Sequence, residues 1–234
     1  MSTKIIVSYD GTANEDDAVA LGGVFARAGA EVSLAYVRHA PESDGDRESL
    51  AQQEAQALVE RGAQLLGGPV ASTHVVIDPS TPAALRSLAQ EIGASVVVFC
   101  SDSHTAKGHV TIGNSAERLL EGGPVAVAIA PAGLADDGPQ ASVKRIVAVG
   151  EAGGSGSAQR TAQALAGALG AEVVPVADEN TDLLVLDSRA EGAAGKTSIS
   201  SSASHLIEIA TSSVLVLPQG VTLELGGVPV GAAA

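Results

Sequence analysis

The sequence has no tryptophan, two phenylalanines and two tyrosines. So few rings leave little surface for stacking unpaired bases, which argues against a single-strand nucleic-acid binder. Basic residues are also scarce: 13 Lys and Arg stand against 27 Asp and Glu, for a net charge of −14. The acidic excess is shared by both halves of the chain. No basic stripe is left for duplex nucleic acid or an anionic membrane surface, so neither is an expected partner. The single cysteine, Cys100, excludes an intramolecular disulfide framework and points to a reducing compartment, so a cytoplasmic location is expected. No apolar run approaches the ~20 residues that cross a bilayer. Residues 1–4 lead directly into a strand-like segment, without the basic and then long apolar pattern of a secretory leader. Hydrophobic residues make up 45% of the chain, which is too apolar for a disordered polymer and enough for a folded core.

The apolar residues come in two rhythms. Residues 4–10 form a β-branched run ending at Asp10-Gly11, and residues 31–37 and 95–100 repeat that character. Between the first two, Ala18, Leu21, Phe25 and Ala28 fall on one helical stripe. Glu15, Asp16 and Asp17 sit in its first turn, where the helix dipole favours acids. A polar helix is expected over 44–67, a strand over 74–78 and a helix over 81–93 with Pro82 near its start. A short helix over 114–121 and a strand over 124–130 complete the first half. Continuous Val/Ile strands alternating with amphipathic helices mean a parallel sheet covered on both faces. Ligands in such sheets bind at the carboxyl ends of the strands. Those ends are Asp10-Gly11, Val37-Arg38 and the loop from Cys100 to Gly113.

After a linker-like stretch the pattern restarts. Arg145 takes the place of Lys4, and Leu169-Gly-Ala-Glu-Val173 that of Ala28-Gly-Ala-Glu-Val32, 141 residues on in both cases. Asp182 then takes the place of Ser95, only 87 residues on. The second copy therefore lacks about 54 residues, those of the second helix, third strand and third helix. Residues 221–227 offer either one more edge strand or a loose tail.

Several motifs have plain readings. Residues 190–197 spell a relaxed phosphate loop with Ala190 in the first glycine slot. Only 37 residues follow Thr197, too few for the strands that would hold Mg²⁺ and position water. The repeat explains the same loop more economically, with Lys196 left open as an anion contact. His39, His74, His104, His109 and His205 show no metal-site spacing, so no metal centre is expected. Cys100 ends an apolar strand and reads as a small buried hydrophobe. Residues 150–157 lack the spacing of a nucleophile elbow. No paired carboxylates, activated nucleophile or metal cluster stands out, so an enzyme is not expected.

The strand ending in Asp10-Gly11, the strand ending at Val37, and Asp78 with its following helix form one set of markers. Val97-Val-Phe-Cys100, then Gly113-Asn114-Ser115-Ala116-Glu117-Arg118-Leu119-Leu120 and Gly123-Pro124-Val125 form a second. On these residues the first half resembles the universal stress protein family over nearly its whole length. The resemblance implies an α/β fold: tandem open parallel-sheet domains, Rossmann-like and akin to adenine nucleotide alpha hydrolases, with the second truncated. It divides the chain into a complete domain over 1–131, a linker over 132–142, a shortened domain over 143–218 and a tail over 219–234.

The family's nucleotide-binding members carry Gly, two residues, Gly, nine residues, Gly, then Ser or Thr. Here those slots hold Cys100, Ser103, Gly113 and Asn114. By resemblance, Asp10 and Gly11 face a nucleoside, Val37 meets the base through its backbone, and Gly113, Asn114 and Ser115 meet phosphate. The implied ligand is ATP or another adenine nucleotide, with Mg²⁺ accompanying it. In the second half the slots hold Asp187, Ala190, Ser200 and Ser201, with Glu151 at the Asp10 position, and ordinary nucleotide binding is not expected there. Two readings stay open: a nucleotide-binding regulatory module acting through protein partners, or a nucleotide-free scaffold with a degenerate site. In this family the fifth strands pair across a dimer. The resemblance therefore implies that 124–130 and 213–218 pair within one chain as a pseudo-dimer, with a homodimer of whole chains as a further option through 221–225.

Overall fold

The computed structural model describes residues 2–138, 141–151 and 153–226. Parts of the linker, the loop after 150 and the tail from Gly227 onward lie outside the described residues. The elements alternate from the start: β1 (Lys4–Ser8), α1 (Glu15–Arg27), β2 (Glu31–Arg38), α2 (Gly45–Leu65), β3 (Ser72–Ile77), α3 (Thr81–Ile92), β4 (Val96–Cys100), α4 (Asn114–Leu120) and β5 (Ala126–Ala130). A short 3-10 helix, Leu134–Asp137, follows in the linker. The second half is β6 (Arg145–Val149), α5 (Ser157–Leu169), β7 (Glu172–Val174), β8 (Leu183–Asp187), α6 (Ser201–Glu208) and β9 (Ser213–Leu217).

Local chemistry sets the boundaries. The Asp44 carboxylate accepts from the Asp46 and Arg47 N–H groups and starts α2. The Ser80 hydroxyl accepts from Ala83 N–H at the start of α3, Pro82 lies in its first turn, and Gly93 stops it. β1 is shorter than the sequence pattern suggests because the ladder ends where the chain turns. The Asp10 N–H is taken by Glu15, and the Asp10 carboxylate accepts from Thr12 N–H.

All strands join one nine-stranded sheet in the order β3-β2-β1-β4-β5-β9-β8-β6-β7. Every pairing is parallel except β5 with β9. There Ala128 faces Leu215, flanked by Val127–Val216 and Ile129–Val214. Leu215 lies 87 residues after Ala128, so the two halves meet across a local two-fold at that pair. The same relation holds in the loops: Val110 N–H donates to Ala210 O and Thr197 N–H to Gly123 O.

Two apolar layers cover the sheet, and each draws on both halves. One gathers Leu21 and Phe25 with Leu165 and Leu217. The other gathers Leu85 and Leu119 with Ile207 and Val216. Among the described residues, 221–226 form no edge strand and are not loose. Leu223 and Leu225 are buried in the first layer, Leu223 N–H donates to the Thr161 hydroxyl, and the Thr3 hydroxyl donates to Glu224 O. Leu223 and Leu225 are thus used within the chain.

Candidate functional site

A cleft of about 390 Å³ opens at the carboxyl ends of β1, β2 and β4. Asp10, Val37, Cys100, Gly113, Asn114 and Ser115 line it, brought together from four separate segments. Tyr36, His39, Thr81 and Phe99 line it as well, and the sequence patterns singled out none of them for this. A side chain built at Gly113 would meet open space, so this glycine presents bare backbone to the cleft. Gly11 and Ser103 do not line it. Gly11 has φ +83°, and a Cβ there would strike Leu58 of α2. Its role is to let α2 pack over the β1–α1 turn. Ser103 is exposed, at the tip of a turn that the Asp102 carboxylate closes by accepting from His104 N–H.

Three adjacent acids at the start of α1 have three different fates. Glu15 lines the cleft, takes the Asp10 N–H and lies against the Asp10 carboxyl. Burial, then this neighbouring acid, pushes its carboxyl up to about 9, so it is protonated at neutral pH. The structure therefore supplies the paired carboxylates that the sequence did not show. Asp16 accepts from the Tyr9 hydroxyl at 3.1 Å. Asp17 is buried and accepts from the Gly133 and Ala135 N–H groups, capping the linker's 3-10 helix. Burial nonetheless raises its pKa, against the pull of those two bonds.

Arg61 of α2 donates to the Tyr9 hydroxyl and to Gly11 O, which ties α2 to the floor of the cleft. Cys100 is only partly exposed. Burial, then the nearby Glu15 and Asp10, pushes its thiol up to about 12. A thiol held in its neutral form is not a nucleophile.

A family model described as the universal stress protein family matches residues 1–131. The chain belongs to this family. No curated protein matches it. Among solved structures, a universal stress protein from Archaeoglobus fulgidus DSM 4304 is similar at TM-score 0.67 and 15% identity, over 94% of this chain and 100% of that one. A functionally unknown protein from Pseudomonas aeruginosa PAO1 is similar at TM-score 0.56 and 14% identity, over 94% and 93%. At such identities the likeness concerns the fold.

The matched residues are those that build the cleft, and the second half of this universal stress protein treats the equivalent place differently. Asp187, 87 residues after Cys100, is buried, and its Oδ1 accepts from Ala158 N–H at 2.8 Å in the first turn of α5. The helix end is occupied by the chain's own carboxyl group. The other oxygen, Oδ2, has no hydrogen-bond partner, and burial raises the pKa. The phosphate-loop spelling at 190–197 also has a structural use. Thr197 is 1% exposed and donates its hydroxyl to Leu119 O at 2.6 Å, so it is committed to the other half and not to a metal ion. Lys196 lines a separate cavity with Arg189, Glu117 and Glu121, where both signs of charge are mixed.

Proposed function

We propose that the chain is a regulatory universal stress protein that holds one adenine-type small molecule in the cleft of its first half. The observation that carries this is the convergence of Asp10, Val37, Gly113, Asn114 and Ser115 on one open cleft at the strand ends. Its volume of about 390 Å³ is at the low end for small-molecule sites, which run from roughly 300 to 1,000 Å³. Tyr36, Val37 and Phe99 give an apolar wall for a base, and the acids give acceptors for hydroxyl donors. Mg²⁺ would enter only with a phosphorylated ligand.

The chain is on this reading a tandem duplicate: a complete domain over 1–131, a linker over 132–142, a shortened domain over 143–218 and a tail over 219–234. The second copy serves as the partner that a dimer would otherwise provide. It acts in the cytoplasm by binding, not turnover, and signals through protein partners. A second reading, a ligand-free scaffold, is favoured by one feature: the Cys100 side chain stands in the cleft wall at a glycine slot.

The test is mass spectrometry of small molecules released from the purified protein, followed by calorimetric titration of the stripped protein with adenine compounds. One site per chain, lost in Gly113→Val without a change in unfolding midpoint, supports the ligand-binding reading. No released adenine compound and no heat with any of them gives the scaffold reading.

A further inference from the structure

We propose that the cleft takes a nucleoside without phosphates, an uncharged adenosine-type ligand, and excludes nucleotides by charge. This rests on the reading of the cleft as an adenine-ligand site and narrows it. Three carboxyl side chains, Asp10, Glu15 and Asp102, line the cleft, with one imidazole, His39, and no lysine or arginine among the described residues. Two arginines of the surrounding elements, Arg61 and Arg38, are turned to other work. Arg61 donates to the Tyr9 hydroxyl and Gly11 O, and Arg38 is held by Glu48 at 2.7 Å. A phosphate placed here would meet the carboxyl groups of Asp10 and Asp102, with Glu15 neutral, and no fixed cation.

Between Asp102 and Ile112, most of the loop that would wrap phosphate has committed its amides elsewhere, which leaves only the Gly113–Ser115 backbone turned to the cleft. The amides of His104, Thr105, Gly108, His109, Val110 and Thr111 all donate to groups of the protein. The Ser101 hydroxyl donates to Ala130 O at 2.7 Å. A phosphate-binding loop instead leaves its N–H groups free to converge on the anion. α4 has seven residues, too few to add a substantial dipole. What the cleft does offer is acceptors. Carboxyl oxygens suit the vicinal hydroxyls of a ribose, and the wall of Tyr36, Val37 and Phe99 suits a base.

The test is calorimetric titration of the stripped full-length protein with adenosine, AMP and ATP, with and without Mg²⁺, at low and high salt. The expected order is adenosine, then AMP at least ~10-fold weaker, then ATP weaker again, with the gaps narrowing as salt screens the carboxylates. In Asp102→Asn the ratio of ATP to adenosine affinity is expected to move ~10-fold toward ATP. ATP binding as tightly as adenosine, or tighter, overturns the proposal and leaves the adenine site standing. If none of the three binds, the adenine-site reading fails and the proposal fails with it.

Discussion

At the β1–α1 turn, single side chains decide how the floor of the cleft is built. Gly62 of α2 sits over Tyr9, and a Cβ there would lie 2.7 Å from its ring and 2.6 Å from Leu34. Gly62→Val is expected to cost about 1–3 kcal/mol by overpacking. Gly45, at the start of the same helix, faces open space. Gly45→Ala is expected to stabilise by about 0.4–1 kcal/mol. Urea unfolding of the two variants checks both signs. Glu15 sets a pH dependence. Its carboxyl is raised from 4.5 to about 9 in the folded protein, so the folded state keeps a proton that the unfolded chain has lost. That contribution is full below pH ~4.5 and is lost as pH rises through about 9. Stability should therefore fall with rising pH across this window, and Glu15→Gln should flatten the fall in a series of urea midpoints. Asp10 was legible as a cleft residue because it follows the carboxyl end of a strand-like run. Glu15 was not, because only its contact with Asp10 separates it from its neighbours Asp16 and Asp17. Asp17 meets its partner Gly133 from 116 residues away, which no local pattern reveals.

Among the elements, those with chemical punctuation were the easiest to read. Ser80, Pro82 and Gly93 bracket α3, and Asp44 marks the start of α2. The loop at 190–197 was harder, because its spelling imitates a phosphate loop while its function is pairing. The Thr197 hydroxyl is a second donor to Leu119 O at the end of α4, beside the Gly123 N–H. Thr197→Val keeps the shape and removes the donor, so it should cost about 0.5–1.5 kcal/mol, because Leu119 O keeps the Gly123 N–H, while Thr197→Ser should recover most of that loss. Thermal and urea unfolding of the two variants read the difference. The tail was illegible for a related reason. Nothing local says that Leu223 N–H will meet Thr161, or that Leu223 and Leu225 will join the layer that holds Leu165.

Across the whole molecule, the β5–β9 pairing joins two unequal halves into one sheet. The restart of the element order was expected from the likeness of residues 28–32 and 169–173, and the 87-residue spacing read in the sequence also separates Ala128 from Leu215, which face each other. Both apolar layers cross that junction. A fragment of residues 142–234 would expose the β9 edge that pairs with β5, and it has no counterpart of α2, β3 and α3. It is expected not to unfold cooperatively on its own, which differential scanning calorimetry would show as the absence of a transition. The most direct test of the central claim, one small-molecule site and that in the first half, is hydrogen exchange on the stripped full-length chain with and without saturating adenosine. The account predicts slowed exchange in the segments around residues 8–10, 36–39 and 99–115, with residues 150–157 and 187–200 showing no direct protection. Protection centred on the second half, or none anywhere while adenosine is bound, would contradict it.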